Sequence, residues 1–165
     1  MFFRPLVPQM KLFLARHGQT PMNRQGQSQG QSDQPLDSQG TRQAEALGQY
    51  LREHQFSGIY CSPLRRAQQT ATAIARHHDL PVLPKSGFME MNVGEMDGLT
   101  SSQMRDKYPH LMQEWSRYPS QVRMPGGETL QEVQKRAWET MTSLVDGHSK
   151  EESIVVVGHN FVISC

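Results

Sequence analysis

Cysteine is scarce in this chain: its 165 residues include only two, Cys61 and Cys165. Two cysteines cannot build the disulfide framework that staples small secreted domains. Neither has partners at the spacing of a zinc motif, so the sequence offers no structural zinc site. We therefore expect reduced thiols in a cytoplasmic protein. We also expect no metal and no cofactor.

Long hydrophobic runs and an excess of one charge are also missing. The apolar runs extend over only a few residues, which argues against a membrane-spanning helix. Seventeen basic and 16 acidic residues give a net charge of +1 without a block of like charge, so nothing indicates a nucleic-acid or membrane partner. "MFFRPLVPQ" lacks a secretory pattern, and we expect residues 1–9 to be a loosely attached leader before a single domain at 10–165.

Short apolar stretches alternate with segments of helical periodicity, which is typical of an α/β domain with a largely parallel sheet. The predicted strands cover residues 10–15, 57–62, 80–86 and 153–160. The predicted helices run from a cap at Asp37 to about His54, over 64–78, over 100–119 with a break at Pro109, and from the turn at 125–128 to about Gly147.

Strongly polar residues follow three of these strands directly. Arg16 and His17 follow the first, the segment 62–66 follows the second, and His159 follows Gly158 in the last. Ligands of parallel α/β sheets bind beyond the carboxyl ends of the strands. If the three strands are neighbours, these side chains converge at one rim of the sheet.

Two arginines and two histidines in one pocket would repel each other unless an anion occupies it. The guanidinium fork matches phosphate oxygens, so a phosphoryl group is the ligand that this set favours. A neutral histidine beside that group can attack it through one ring nitrogen, while the other nitrogen donates its proton to a backbone carbonyl. The leaving alkoxide then requires a carboxylic acid with a raised pKa.

Six ordered motifs resemble those of the histidine phosphatase superfamily, the phosphoglycerate-mutase-like group, and extend over residues 10–160. They are "RHGQT…N" at 16–23, "PLDSQGTRQAEALG" at 35–48, "SPLRRAQQTA" at 62–71, "MEMNVGEMDG" at 89–98, "PGGET" at 125–129 and "VVVGHN" at 155–160. The resemblance implies a three-layer α/β/α sandwich with a mostly parallel central sheet. It also implies a metal-independent phosphomonoesterase that acts on a small phosphorylated metabolite through a phosphohistidine.

The resemblance assigns a role to each site residue. His17 would be the phosphorylated nucleophile, Glu90 would be the general acid and then the base that activates water, and the remaining residues would contact the phosphoryl group or the substrate. Those contacts are assigned to Arg16, Arg66, His159, Asn23, Gln19 and Thr20.

Neighbouring residues compete for some of these roles. Arg66 is preferred to Arg65, and Glu90 to Glu95, because they match the family pattern. We interpret Asp97 as a turn residue. We interpret Glu128 as a carboxylate that stabilises the start of a helix through its dipole.

The resemblance also separates branches of the family, because phosphoglycerate mutases carry a longer insertion between the acid motif and the "PGGE" turn. In this chain that segment, residues 99–125, is short. This favours the compact phosphatase branch, with broad-specificity and alpha-ribazole phosphatases, over phosphoglycerate mutases. A mutase and a non-catalytic phosphoryl-binding protein remain alternatives, and the chain is expected to be a monomer or a homodimer.

Family members continue after the "GH" motif with a helix and a strand, whereas this chain ends five residues after Asn160. We therefore expect C-terminal elements of the fold to be missing, and we expect apolar surface or a strand edge to be exposed on the sheet.

Overall fold

The computed structural model describes residues 10–164; the predicted leader at 1–9 and Cys165 lie outside the described residues. The strands are β1 (Lys11–Arg16), β2 (Gly58–Cys61), β3 (Val82–Pro84) and β4 (Ser153–Gly158). The helices are α1 (Pro21–Arg24), α2 (Ser38–Leu51), α3 (Arg65–Ala75), α4 (Ser101–Lys107), α5 (Pro109–Arg117), α6 (Leu130–Asp146) and α7 (Asn160–Ser164). Single 3-10 turns lie at Ser86–Phe88, Gly94–Met96 and Pro119–Gln121.

The four strands form one parallel sheet in the order β1-β4-β2-β3. Arg16 pairs with Gly158, and Cys61 pairs with Val157. The carboxyl ends of β1, β4 and β2 therefore lie side by side at one rim. This confirms both the parallel sheet and the adjacency that the sequence predicted.

Side chains of β4 alternate between the two faces of the sheet and so explain the three layers. Val155 and Val157 pack in one cluster with Leu51 of α2 and Ile74 of α3. Ile154 and Val156 belong to a second cluster that includes Leu144 of α6. The α/β/α sandwich expected from the resemblance is confirmed.

Several element boundaries differ from prediction. β3 is confined to three residues by Pro81 and Pro84, since proline cannot donate to a sheet ladder. β4 ends at Gly158, whereas the predicted strand extends to Asn160, because α7 begins at Asn160. The predicted cap is confirmed: the Asp37 carboxylate accepts a 2.8 Å hydrogen bond from the Gly40 N–H.

Within residues 10–164, the edge of the sheet at β1 exposes apolar side chains. Among the described residues β1 pairs only with β4, and Leu14 remains 47% exposed. A groove along β1 is lined by Leu12, Leu14 and side chains of α6, including Trp138. This is the exposed edge and patch that the sequence predicted. No helix formed by residues 10–164 is long and apolar enough to cross a membrane.

Candidate active site

The ends of three strands bring the predicted residues together. The His17 N–H donates to the Gly158 carbonyl across β1 and β4 (3.1 Å), and the Ser62 N–H donates to the Val157 carbonyl across β2 and β4 (3.0 Å). The ring centroids of His17 and His159 are 5.1 Å apart. The sheet register therefore fixes the distance between the two histidines.

The tautomer of His17 follows from its two partners. Nδ1 lies 2.7 Å from the Gly18 carbonyl oxygen, which can only accept, so Nδ1 carries the proton. Nε2 receives a 3.3 Å hydrogen bond from Nε of Arg66, which can only donate. Burial, aided by the charges of Arg66 and Arg16, lowers the pKa of His17 to about 4, although the Gly18 bond opposes the shift. His17 is thus a neutral imidazole with its Nε2 lone pair in the pocket at neutral pH.

Arg66 is fully buried at the start of α3, whereas Arg65 is exposed. Its NH1 and NH2 donate to the carbonyls of Ser32 (2.8 Å) and Gly30 (2.7 Å), in addition to the bond from Nε to His17. A guanidinium has five N–H donors, so two remain for a ligand. Burial lowers the pKa of Arg66 to about 10, which leaves it cationic at neutral pH.

His159 is fully buried, and neither of its ring nitrogens has a partner among the described residues. Burial, aided by the nearby charge of Arg66, lowers the pKa of His159 far below the usual range, so the ring is neutral. A buried polar group without a partner is costly. This histidine therefore indicates that the pocket is built for a polar ligand.

Glu90 is also buried, directly after the 3-10 turn at Ser86–Phe88 and opposite the start of α7. Its Oε1 accepts from the Met91 N–H (2.8 Å), and its Oε2 accepts a longer bond from the Phe161 N–H (3.4 Å). Burial raises the pKa of Glu90, although the two N–H groups and Arg66 oppose this. Glu95, the competing candidate, is exposed and bonds to Tyr108.

The remaining predicted contacts lie in or beside the loop after β1. Arg16 is exposed at the rim, and its charge contributes to the lowered pKa of His17, after burial and Arg66. Gln19 is half-buried, and its backbone binds Gln43 and Asp37. Thr20 and Asn23 form the capping box of α1. Thr20 is fully buried and its hydroxyl also donates to Gln29, so its side chain serves the cap, and its contact with a substrate stays a prediction.

Three elements of the site have no counterpart in the sequence prediction. The carbonyls of Gly30 and Ser32 hold Arg66, and the Asp97 carboxylate accepts the N–H groups of the same two residues (3.3 and 3.0 Å). Asp97 is therefore an anchor of this loop and more than the turn residue we expected. Arg136 of α6 donates to the Glu90 carbonyl (3.1 Å). A backbone acceptor can come from any residue type, so the carbonyls themselves give no signal in the sequence.

The interpretation of Glu128 needs correction. α6 begins at Leu130 and is capped by Thr129, whose hydroxyl accepts from the Glu132 N–H. Glu128 precedes the helix, and its carboxylate forms an ion pair with Arg136 (2.9 Å). Its negative charge serves this pair, not the helix dipole.

Within residues 10–164 no group of three or more histidine, cysteine, aspartate or glutamate side chains is arranged to hold a metal ion. The polar groups at the rim are two arginines, two neutral imidazoles and one carboxyl group whose pKa is raised. This set can bind a phosphoryl dianion, attack it through His17 and deliver a proton to its leaving group.

Known proteins share both the sequence and the fold. Residues 12–165 match the family model of the histidine phosphatase superfamily (branch 1). Phosphoserine phosphatase 1 of Hydrogenobacter thermophilus is 33% identical over 150 residues, which cover 91% of this chain and 71% of that protein.

Two solved structures superimpose closely. The mycobacterial glucosyl-3-phosphoglycerate phosphatase Rv2419c in complex with VO3 gives a TM-score of 0.86 at 31% identity, over 93% of this chain and 77% of that one. The alpha-ribazole phosphatase of Shigella flexneri gives 0.84 at 27% identity, over 93% and 75%. The chain belongs to branch 1 of the histidine phosphatase superfamily and is a phosphoric monoester hydrolase of that family.

Proposed function

We propose that this protein hydrolyses the phosphoric monoester of a small phosphorylated metabolite in two steps, with His17 as the nucleophile. The observation that carries the proposal is the tautomer of His17. Its Nδ1 proton is committed to the Gly18 carbonyl, and its Nε2 lone pair is directed at the buried arginine. Such a group is ready to attack phosphorus without first losing a proton.

In the first step the Nε2 lone pair gives up its hydrogen bond from Nε of Arg66 and forms a bond to phosphorus, while the bond to the ester oxygen breaks. The leaving oxygen takes its electron pair and a proton from the Glu90 carboxyl group, whose raised pKa keeps that proton available. In the second step the Glu90 carboxylate removes a proton from water, and the water oxygen displaces Nε2 from phosphorus. Phosphate, neutral His17 and protonated Glu90 result.

Charge on the phosphoryl oxygens is stabilised by the cations at the rim. Arg66 offers its two remaining N–H groups, Arg16 adds a second positive charge, and neutral His159 donates its single ring N–H. In a buried site such fixed donors supply the largest part of phosphoryl-transfer catalysis. Asn23 and Gln19, half-buried beside the nucleophile, would contact the rest of the substrate.

The names of the relatives support a small metabolite as substrate. They act on phosphoserine, on glucosyl-3-phosphoglycerate and on an alpha-ribazole compound, as their names state. The near-neutral charge of the chain adds no argument for a nucleic-acid or membrane partner. We propose a cytoplasmic enzyme, monomeric or homodimeric, that needs no metal.

Phosphate release from p-nitrophenyl phosphate in the presence of EDTA tests the proposal. The parent should turn over and the His17→Ala variant should lose nearly all activity. His110→Ala is the matched control, since His110 lies exposed on α5. Quenching with detergent at alkaline pH should trap phosphohistidine, which is stable to alkali and labile to acid, in the parent only.

Turnover that survives His17→Ala contradicts the mechanism. Binding of vanadate by a folded parent without any turnover would instead indicate a phosphoryl-binding protein. Isomerisation of a phosphoglycerate in place of its hydrolysis would indicate a mutase.

A further inference from the structure

The guanidinium of Arg136 lies behind the proposed acid and uses all five of its N–H donors. Nε and NH2 bind the two carboxylate oxygens of Glu128 (2.9 Å each). NH1 donates to the carbonyls of Gly87 (2.9 Å) and Met89 (2.6 Å), and NH2 also donates to the carbonyl of Glu90 (3.1 Å). A fully used fork of this kind fixes orientation as well as position, which a lysine could not do.

Glu128 binds the backbone on the far side of Glu90. Its Oε2 accepts from the Asn92 N–H (2.8 Å), and its own N–H donates to the Asn92 carbonyl (2.8 Å). Burial alone would raise the pKa of Glu128, but the bonds from Arg136 and Asn92 outweigh it and lower the pKa. The pair is therefore charged, and it holds the backbone on both sides of the acid.

Gln31, in the loop after β1, forms a further hydrogen bond to the backbone of Glu90. Its amide donates to the same Glu90 carbonyl that Arg136 binds (3.1 Å). In contrast, the Glu90 carboxyl group itself is bound by backbone N–H groups, a 2.8 Å bond from Met91 and weaker ones from Phe161 and Asn160. The backbone of Glu90 is thus fixed more firmly than its side chain, so the location of the carboxyl group depends on the backbone.

We infer that the Arg136–Glu128 pair is a positioning device that holds the Glu90 carboxyl group at the ester oxygen for proton delivery. Neither residue touches the substrate. Because the positive charge of Arg136 is neutralised by Glu128, the pair orients Glu90 without placing a free cation beside it. The inference rests on the proposed role of Glu90 as the general acid.

Displacement of the Glu90 carboxyl group would lower kcat/KM more for some substrates than for others. The p-nitrophenolate ion leaves without a proton, whereas an alkoxide needs one. The value of kcat/KM reports the steps through phosphorylation of His17, and so it is insensitive to the later activation of water. The slope of log kcat/KM against the pKa of the leaving group therefore measures how well the proton is delivered.

The experiment measures this slope for substituted phenyl phosphates and one alkyl phosphate. With Arg136→Met we expect kcat/KM on the alkyl phosphate to fall at least about 10-fold more than on p-nitrophenyl phosphate, a part of the 10²–10⁴-fold that general acids contribute. Glu128→Gln, which preserves size, should steepen the slope less. Arg123→Met is the matched control: Arg123 forms an exposed pair with Glu132 and has no contact with Glu90.

A uniform loss across the series, with the slope unchanged, would overturn the inference, because a purely structural defect lowers all substrates alike. Titration of the ¹³C-labelled Glu90 carboxyl group gives a readout that needs no turnover, with Glu90→Gln identifying the signal. We expect the raised pKa of Glu90 to return toward the ordinary range in Arg136→Met as the side chain becomes hydrated. If the pKa of Glu90 is the same in a folded Arg136→Met variant as in the parent, the positioning role is refuted. Failure of the proposed function would look different: the parent would be inactive, although its Glu90 would still titrate with a raised pKa.

Discussion

The lowered pKa of His17 makes a quantitative prediction about stability. In the unfolded chain a histidine binds a proton near pH 6.5, whereas in the folded protein burial lowers the pKa of His17 to about 4. Between these values the unfolded state binds the extra proton, so the free energy of unfolding falls as the pH falls. The contribution of His17 is fully present above pH 6.5 and is lost progressively down to pH 4.

The magnitude follows from the two pKa values. Between about pH 7.5 and about pH 4.5, the linkage relation gives a loss of about 2.5 kcal/mol for this one group. That is a large share of the roughly 5–15 kcal/mol that stabilises an ordinary domain. His17 is mostly shielded from solvent, with 8% of its surface exposed, so the shift needs no large discount for screening.

The assay is urea unfolding of the parent and His17→Asn at both pH values. The asparagine amide can still donate to the Gly18 carbonyl, and His159 is present in both proteins, so its protonation cancels in the difference. We expect the parent to lose about 2.5 kcal/mol more than the variant on acidification. Phosphate buffers must be avoided, because a ligand of the folded state would stabilise the parent selectively.

Parallel pH dependence in the two proteins, within about 0.5 kcal/mol, would refute the reasoning, since such behaviour means that native His17 takes up its proton at the ordinary pKa. The same shift predicts the activity profile. The acidic limb of kcat/KM should lie near pH 4, where His17 gains its proton. The alkaline limb should lie above the ordinary glutamate pKa, where Glu90 loses its proton.

Three further substitutions or reactions test other parts of the structure. In Gly40→Ala the new Cβ would lie 2.7 Å from the backbone nitrogen of Gln19, so urea unfolding should show that the free energy of unfolding falls by about 1–3 kcal/mol. Gly147→Ala is the control: its Cβ would have no atom nearer than 3.5 Å, so the free energy of unfolding should change little. Burial raises the pKa of the Cys61 thiol to about 12, so mass spectrometry should find it unalkylated by iodoacetamide until the protein unfolds. Asp97→Asn weakens the hydrogen bonds that anchor the loop holding Arg66. Calorimetry should show vanadate binding about tenfold weaker, which corresponds to the loss of one hydrogen bond to a charged group. An unchanged affinity would count against this role of Asp97.

The central residues of the site could be predicted because each follows a strand of one parallel sheet. Strand ends are visible as breaks in apolar runs, and their meeting at a rim is a property of the fold class. Arg66 is buried and Arg65 is exposed, because a helix can direct only one of two adjacent side chains toward the sheet, and the binding role of Arg66 stays a prediction. Burial of Glu90 and exposure of Glu95 agree with the sequence preference in the same way.

Local hydrogen bonding gives Thr20 a structural role that the sequence analysis did not anticipate. A threonine three residues before an asparagine that can return the bond is a helix cap, and the cap takes up its hydroxyl. α1 is only four residues long, with no apolar periodicity to indicate it, and the 3-10 turns are equally short. Elements of this size are set by tertiary contacts, which sequence periodicity does not report.

The positioning contacts were missed for a deeper reason. Arg66 and Arg136 donate to five backbone carbonyls in total, and a carbonyl gives no signal in the sequence because every residue has one. The available signal was Arg136 itself, a charge directly before Ala137 in the buried stripe of α6. A half-buried cation requires partners, and the structure supplies Glu128, which precedes the helix. Both arginines thus come from helices on opposite faces of the sheet, and each fixes a loop by its main chain. In this way the loops beside the nucleophile and the acid are held through their backbone carbonyls.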